Sequence, residues 1–392
     1  MTDIAVVHGN YLAHGGGEVV AERLAETFDA PLYYGFGDDD AVPDTDTEHV
    51  SLFDESLLAR WKRSPFVRDA FYVWAFQHVP ELHEYDVLVQ SGNEPGWYVP
   101  PDDQPIVKYV HSTPRAAYDR FPDKGDDPLV RAYAFATRVL YAQNLAYPDV
   151  YVANSELIAR RVRRYWGIDD VRVVYPPVPV DSYDVRPHDE REPFFLTFSR
   201  LDESKRIDEI VRAFADRDDR LVVGGDGPEA DRLQAMATDN VEFRGFLSES
   251  EKRDLLARAR GFVFAARNED FGIVPVEALA SGTPVVGVRD GYTRYQICDG
   301  ENGLLYERGS EQLDDALDRL LASGVELGRR GDRRQEPNST EKPPSKRGCA
   351  RRSRTRGSGS ESTRNRLSEA FHSRGDHLGV WIRPRSASSY RR

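Results

Sequence analysis

Short apolar runs without internal alternation recur along most of the chain, and longer stretches of helical period separate them. A first series places strands at residues 3–8, 86–90, 106–111, 150–153 and 171–175, with helices over 18–28 and 155–165. A second series places strands at 194–198, 220–223, 241–243, 262–264, 284–288 and 303–306, with a closing helix over 310–321. Runs that are apolar on both faces suit strands covered by helices on both sides, as in a parallel sheet. Strand and helix in alternation therefore predict stacked β-α units, an α/β chain. Between the two series stands Pro176-Pro177-Val178-Pro179 and then a polar, charged stretch over 181–193, the most linker-like text in the body. The expected architecture is a Rossmann-like domain over 1–180, a linker over 181–193 and a second Rossmann-like domain over 194–322. Two such domains facing each other across a cleft place a ligand at the carboxyl ends of the strands.

Composition changes the picture at one point. Residues 329–392 hold 18 Lys and Arg against 6 Asp and Glu, a net of +12, and the whole chain at −13 leaves −25 for residues 1–328. The body is acidic and its cations are almost all Arg, the lysines there being Lys62, Lys108, Lys124, Lys205 and Lys252. Such a surface fits a halophilic protein, because salt screens the self-repulsion of the carboxylates, and it argues against nucleic acid as a partner. The tail over 323–392 is irregular, basic and rich in Arg, Ser, Gly and Pro. It has three readings: a disordered extension that binds an acidic surface, an extension without function, or translation in a shifted frame of a GC-rich gene. The abrupt reversal of composition favours the shifted frame, and resequencing the gene decides it: an intact single frame removes the idea. Cys298 and Cys349 make neither a disulfide framework nor a metal cluster. No apolar run approaches the roughly 20 residues of a membrane span, and the expected location is cytoplasmic.

The candidate chemistry concentrates after the strand at 262–264. A loop with Glu269, Phe271 and Gly272 leads into a helix that starts near Ile273, contains Glu277 and ends at Gly282. A helix start offers free N–H groups to an anion, while carboxylates on either side accept hydrogen bonds from hydroxyls, an outline that suits a nucleotide sugar. Arg200 and Lys205 follow the first strand of the second series, where they can compensate a departing diphosphate. A glycine loop over 224–227 includes Gly225, and Phe246 and Leu247 follow the next strand. In the first series Gly15, Gly16 and Gly17 precede Glu18 without forming a dinucleotide fingerprint, and this weakens an oxidoreductase reading. His111 ends a strand, Ser155 reads as a helix cap, and the acidic strings Asp38-Asp39-Asp40 and Asp44-Thr45-Asp46 read as solvated loops. Phe66, Phe71, Tyr72, Trp74 and Phe76 sit in a helix-compatible stretch over 65–80. Core packing explains them, and a lipid-facing helix that lets a peripheral enzyme reach its acceptor is the sharper alternative.

Glu269 and Glu277 with Phe-Gly and Pro between them, Arg200 with Lys205, the glycine loop at 224–227 and the Gly15–Glu18 segment together resemble retaining GT-B glycosyltransferases of family 4. The resemblance covers residues 1–322. It implies a metal-independent transfer of a hexose, with mannose a candidate, from a GDP- or UDP-linked sugar to a glycan or polyprenyl-linked acceptor, and no cofactor. It implies that Arg200 and Lys205 stabilise the leaving diphosphate and that Glu269 and His111 meet the sugar. Gly16, Gly17, Gly225, Phe246, Leu247, Phe271, Gly272, Ile273 and Glu277 would line the donor, with Glu277 on the ribose. It further implies contact with the inner face of the membrane where the acceptor is lipid-linked. A nucleotide-sugar-binding protein without transfer activity is the second reading, motivated by a tail in which no closing helix can be found. A sugar epimerase or phosphorylase of the same fold is the third, and no pyridoxal-phosphate lysine site supports the phosphorylase.

Overall fold

The computed structural model describes residues 2–12, 15–38, 41–43, 45–53, 65–119, 121 and 127–323. The tail after Ser323 and Asp39, Asp40 and Asp44 of the acidic strings lie outside them. Among the described residues two compact units are present: one up to Pro179 with the short segment Asn268–Ile273, and Val180–Arg267 with the chain from Val274 to Ser323.

The first unit is a seven-stranded parallel sheet in the order β3-β2-β1-β4-β5-β6-β7. Its strands are β1 (Ile4–Tyr11), β2 (Leu32–Gly37), β3 (His49–Ser51), β4 (Val87–Ser91), β5 (Ile106–Val110), β6 (Val150–Ala153) and β7 (Val171–Val173). The connecting helices are α1 (Gly16–Phe28), α2 (Pro65–Ala75), α3 (Pro128–Asn144) and α4 (Glu156–Arg161), the last continued by a π-helical turn over Val162–Trp166. Central strands β4, β5 and β6 are buried along their whole length, as suits mostly apolar strands of a parallel sheet, with Gln90, Ser91 and Lys108 the buried polar exceptions. Helices α2 and α4 close this core, with Tyr72, Phe76, Ile158 and Val162 fully buried against Phe36, Trp97 and Tyr141.

That packing accounts for most of the aromatic stretch over 65–80. Phe71, Tyr72 and Phe76 stack among Phe36 and Phe53, and only Trp74 stands out, 59% exposed with its ring on His78. The Phe66 side chain lies outside the described residues. Large exposed apolar side chains lie instead on α3, at Leu129, Phe135, Val139 and Leu140. No helix among the described residues is long and apolar enough to cross a membrane.

The second unit is a six-stranded parallel sheet in the order β10-β9-β8-β11-β12-β13. It comprises β8 (Glu192–Phe198), β9 (Arg220–Gly224), β10 (Val241–Gly245), β11 (Ala259–Phe264), β12 (Val285–Val288) and β13 (Gly303–Tyr306). Helices α5 (Ile207–Phe214), α6 (Ala230–Ala235), α7 (Glu249–Arg258), α8 (Ile273–Ala280), α9 (Thr293–Gln296) and α10 (Ser310–Ser323) connect and cover them. Phe195, Val211, Phe214, Leu221, Val263, Val286 and Leu317 form its core. In both sheets the order reverses beside the first strand, at β1/β4 and at β8/β11, and such switch points are where open α/β sheets bind ligands. The fold is therefore α/β with two Rossmann-like units, as expected from the strand pattern.

Candidate functional site

In the first unit, α1 starts earlier than its apolar period indicates. Gly15 is the cap and Gly16 and Gly17 form the first turn, because the Glu18 carboxylate reaches back to accept the Gly15 N–H at 3.1 Å. The same carboxylate lies 3.6 Å from Nε2 of His8, near the end of β1. His8 Nδ1 is 3.1 Å from Ser91 Oγ, and Ser91 Oγ is 2.7 Å from Nε2 of His111. Glu18, His8, Ser91 and His111 thus form one chain of polar contacts across the carboxyl ends of β1, β4 and β5.

Its electrostatics follow from position. Burial works to raise the Glu18 carboxyl, but the hydrogen bond and charge of His8 outweigh it and hold the group below the ordinary range. Burial first, then the nearby His8, pushes His111 down to about 3, against the pull of Glu18. His111 is a neutral imidazole at working pH, able to share a hydrogen bond but not to serve as a standing cation.

The segment Asn268–Ile273 packs within this unit. Arg161 donates to Asp270 Oδ1 and Asn268 Oδ1, and Arg115 Nη2 donates to the Asn268 carbonyl at 2.7 Å. Asn268 Nδ2 donates to Asp119 Oδ2 at 2.8 Å, and Arg115 Nε donates to the same oxygen at 3.2 Å. Ser155 accepts the Ile158 N–H as a cap while its hydroxyl donates to the Asp270 carbonyl at 2.7 Å. Asn268 has φ 52° and Gly272 φ 79°, so the backbone makes two left-handed turns around Glu269 to Phe271. Burial raises the Asp270 carboxyl to about 6 although Arg115 and Arg161 favour its charged form. Phe271 is buried against Tyr175 with ring centroids 5.9 Å apart. Within the same unit, a Cβ on Gly16 would stand 3.2 Å from Ile273 Cδ1, so the glycine turn lies against the end of this segment.

In the second unit, three loops at the carboxyl ends of β8, β9 and β10 are knitted by backbone hydrogen bonds. Leu201 N–H donates to the Asp226 carbonyl at 2.8 Å, and Gly225 N–H donates to the Gly245 carbonyl at 2.6 Å. Gly225, with φ 110°, has no room for a side chain: a Cβ would stand 1.8 Å from the Ser199 carbonyl oxygen. Lys205 ends a short turn (Glu203–Lys205) capped by Asp202, whose Oδ1 accepts the Ser204 N–H at 2.8 Å. The Ser204 carbonyl accepts the Arg267 N–H at 2.7 Å and sets that turn beside the chain leaving β11. Arg200 is exposed in the same loop. Phe246 is 78% exposed, whereas Leu247 is buried beside Gly224, so Leu247 has only its backbone to offer a ligand.

Glu277, on α8, is partly buried and hydrogen-bonded to the Tyr183 hydroxyl; burial raises its carboxyl, with Lys252 opposing. Arg308 braces the base of this region by donating to Glu209 Oε2 at 3.0 Å, the Ala265 carbonyl at 3.1 Å and Asp290 Oδ2 at 3.1 Å. Arg191 fixes the end of α8 through Thr283 Oγ1 at 2.5 Å and the Ser281 carbonyl at 2.7 Å.

The first unit therefore brings together Gly16, Gly17, His111, Glu269, Phe271, Gly272 and Ile273. The second groups Arg200, Lys205, Gly225, Phe246 and Leu247 around its loops, with Glu277 on α8. Sequence reasoning passed over His8, Ser91, Asp119, Arg161, Tyr183 and Arg308. A histidine closing a strand just before a glycine turn was a signal for His8. The others act through long-range contacts that leave no local pattern. No group of three or more His, Cys, Asp or Glu side chains among the described residues could hold a metal ion.

Residues 182–336 match the sequence profile of the family described as Glycosyl transferases group 1. The chain is 31% identical over 213 residues to the lipopolysaccharide core biosynthesis glycosyltransferase LpsE of Rhizobium meliloti (strain 1021), covering 51% of this chain and 61% of that protein. It spans less than two thirds of the length of the curated relatives it matches. Sucrose-phosphate synthase from Thermosynechococcus elongatus has a similar structure, with a TM-score of 0.66 at 19% identity over 83% of this chain and 93% of that one. The structure of HepE from Anabaena in complex with UDP-glucose gives 0.63 at 18% identity, over 83% and 91%. At these identities the likeness to solved structures is one of fold.

Proposed function

We propose that the protein is a retaining glycosyltransferase that moves a hexose from a nucleotide-diphosphate sugar to a hydroxyl-bearing acceptor without a metal. The observation that carries this reading is the loop and helix from Asn268 to Glu277, in which two left-handed turns lead into a helix start and Arg161, Arg115 and Ser155 hold the loop through Asn268 and Asp270, while Glu277 meets the Tyr183 hydroxyl. N–H groups at Gly272 and Ile273, at the mouth of α8, accept negative charge, and Lys205 and Arg200 add the cations that a leaving diphosphate needs. Glu269 takes the sugar hydroxyls and Glu277 the ribose. In the first unit the glycines at Gly16 and Gly17 allow close approach of backbone to a phosphate and Phe271 contributes to the donor lining; in the second, Gly225 allows close approach to phosphate or base, Phe246 offers an exposed ring and Leu247 its backbone. The acceptor is a glycan or a polyprenyl-linked saccharide, and the latter would bring the enzyme to the inner face of the membrane.

Release of UDP or GDP from the corresponding sugars, followed by coupled assay in molar salt, tests the reading. Lys205→Ala and Glu269→Ala should each lower turnover about 100-fold or more, the scale on which a group that stabilises developing charge acts. Donor binding with no turnover in the unaltered chain would instead support a binding protein of the same fold.

A further inference from the structure

The loop that follows β8 in the second unit carries a backbone outlier. Three residues other than glycine have positive φ among the described residues: Asp29 at 52°, Asn268 at 52° and Arg206 at 55°. Asp and Asn enter the left-handed region more readily than other side chains, because a short polar group can hydrogen-bond locally. Arg206 has no such help. It stands at a junction, as the end of the turn Glu203–Lys205 and the cap of α5. The turn before it is closed by the Lys205 N–H, which donates to the Asp202 carbonyl at 3.1 Å, and the helix after it is opened by the Glu209 N–H, which donates to the Arg206 carbonyl at 3.1 Å. One left-handed residue therefore sets the direction of the chain directly after Lys205.

A strained backbone persists where its surroundings over-determine it. Asp208 and Glu209, in the first turn of α5, are 8% and 2% exposed. Arg206 Nε lies 3.3 Å from Asp208 Oδ1 and 4.0 Å from Glu209 Oε2, and Arg206 Nη2 donates to Asp208 Oδ2 at 3.4 Å. Glu209 is itself fixed, because its Oε1 accepts the Gly309 N–H at 3.1 Å and its Oε2 accepts from Arg308 Nη1 at 3.0 Å. Ile207 and Ile210 anchor the same turn in the core. The guanidinium thus ties the left-handed residue to an immobile helix start, where glycine would adopt the same φ without strain.

We propose that Arg206 is a positioning residue for Lys205: its left-handed backbone, pinned by Asp208 and Glu209, sets the angle at which Lys205 leaves the turn and so lets the ammonium meet the diphosphate of a nucleotide. This rests on the proposed function, which supplies the diphosphate as the partner of Lys205. Arg206 acts through the backbone and does not touch the ligand.

Isothermal titration with UDP and with GDP of the full chain and of Arg206→Gly, Arg206→Ala and Arg206→Val tests it. All three variants lose the guanidinium and differ in what the left-handed region costs them: least for glycine, more for alanine and most for β-branched valine. Binding of at least one nucleotide should stay within about twofold in Arg206→Gly, weaken about threefold in Arg206→Ala and weaken about tenfold or more in Arg206→Val. In a Lys205→Ala background the same substitutions should have no further effect, whereas a merely structural role would weaken binding equally with or without the lysine. Circular dichroism checks that each variant folds, and the comparison of glycine with alanine decides the matter if the valine variant does not. An equal loss in all three variants, which would put the guanidinium itself on the ligand, overturns the proposal. So do no loss in any of them, losses that add to that of Lys205→Ala, and an unaltered chain that binds neither nucleotide. Nucleotide binding with the expected order of effects, but no transfer from UDP- or GDP-sugars, retains the positioning role and refutes the glycosyl-transfer reading instead.

Discussion

At the scale of single residues, surroundings decide more than identity. His111 has its proton affinity cut to about 3 by burial and by His8, while an unfolded chain would titrate it near 6.5. Folding therefore releases a proton between those values, and this group's contribution to stability is full above about 6.5 and lost as pH falls below it. Followed by NMR from pH 8 to 4, the His111 ring should show no titration, and a midpoint near 6.5 would contradict the network through Ser91. The sequence marked His111, Lys205 and Glu269 because each stands at a strand end or helix start, where chain direction alone exposes a side chain to a ligand. It could not mark Ser91 or Arg161, whose partners His111 and Asp270 are 20 and 109 residues away.

At the scale of elements, the loop Asn268–Ile273 is held by charges that burial makes expensive. Asp270 titrates at about 6 in the folded chain against an ordinary value of about 3.9, so folding takes up a proton between those values. Its contribution favours the folded state at low pH and is lost as pH rises through about 6. Denaturation of the unaltered chain and of Asp270→Asn should therefore give a stability difference that falls from pH 4 to pH 6.5 and then levels. A difference that grows with pH would mean that Arg115 and Arg161 dominate over burial. Elements were unevenly legible. Buried strands such as β5 and β6 stood out as short, mostly apolar runs, and α10 as a clean helical period. Strands β2 and β3 did not: glycines at 35 and 37 interrupt one, and three residues are too few for the other to show a period. The early start of α1 was hidden because glycines weigh against helix until Glu18 caps them.

At the scale of the whole molecule, the carboxylates outnumber the cations by 25 over residues 1–328, and many of the arginines there are paired within their own unit. Self-repulsion of the remainder should be screened as salt rises. The unfolding midpoint should climb by several degrees between 0.1 M and 2 M KCl, and a midpoint that falls would remove the halophilic reading of the composition. The two-unit plan was legible because each β-α series is locally complete and a proline-rich stretch separates them. Its chemistry is most legible in the second half, where glycines that admit no Cβ and a motif on one short helix leave marks in the sequence; a polar network assembled from β1, β4 and β5 leaves none. Under the proposed function, the loops and helix that carry Arg200, Lys205, Glu269 and Glu277 bind a nucleotide-diphosphate sugar. Isothermal titration of the full chain in molar salt with UDP- and GDP-sugars tests it most directly, alongside Glu277→Ala. Saturable binding of at least one donor, weakened about tenfold or more when the Glu277 carboxylate is removed, is the predicted result. A folded chain that binds none of them, or binds equally well without Glu277, would contradict it.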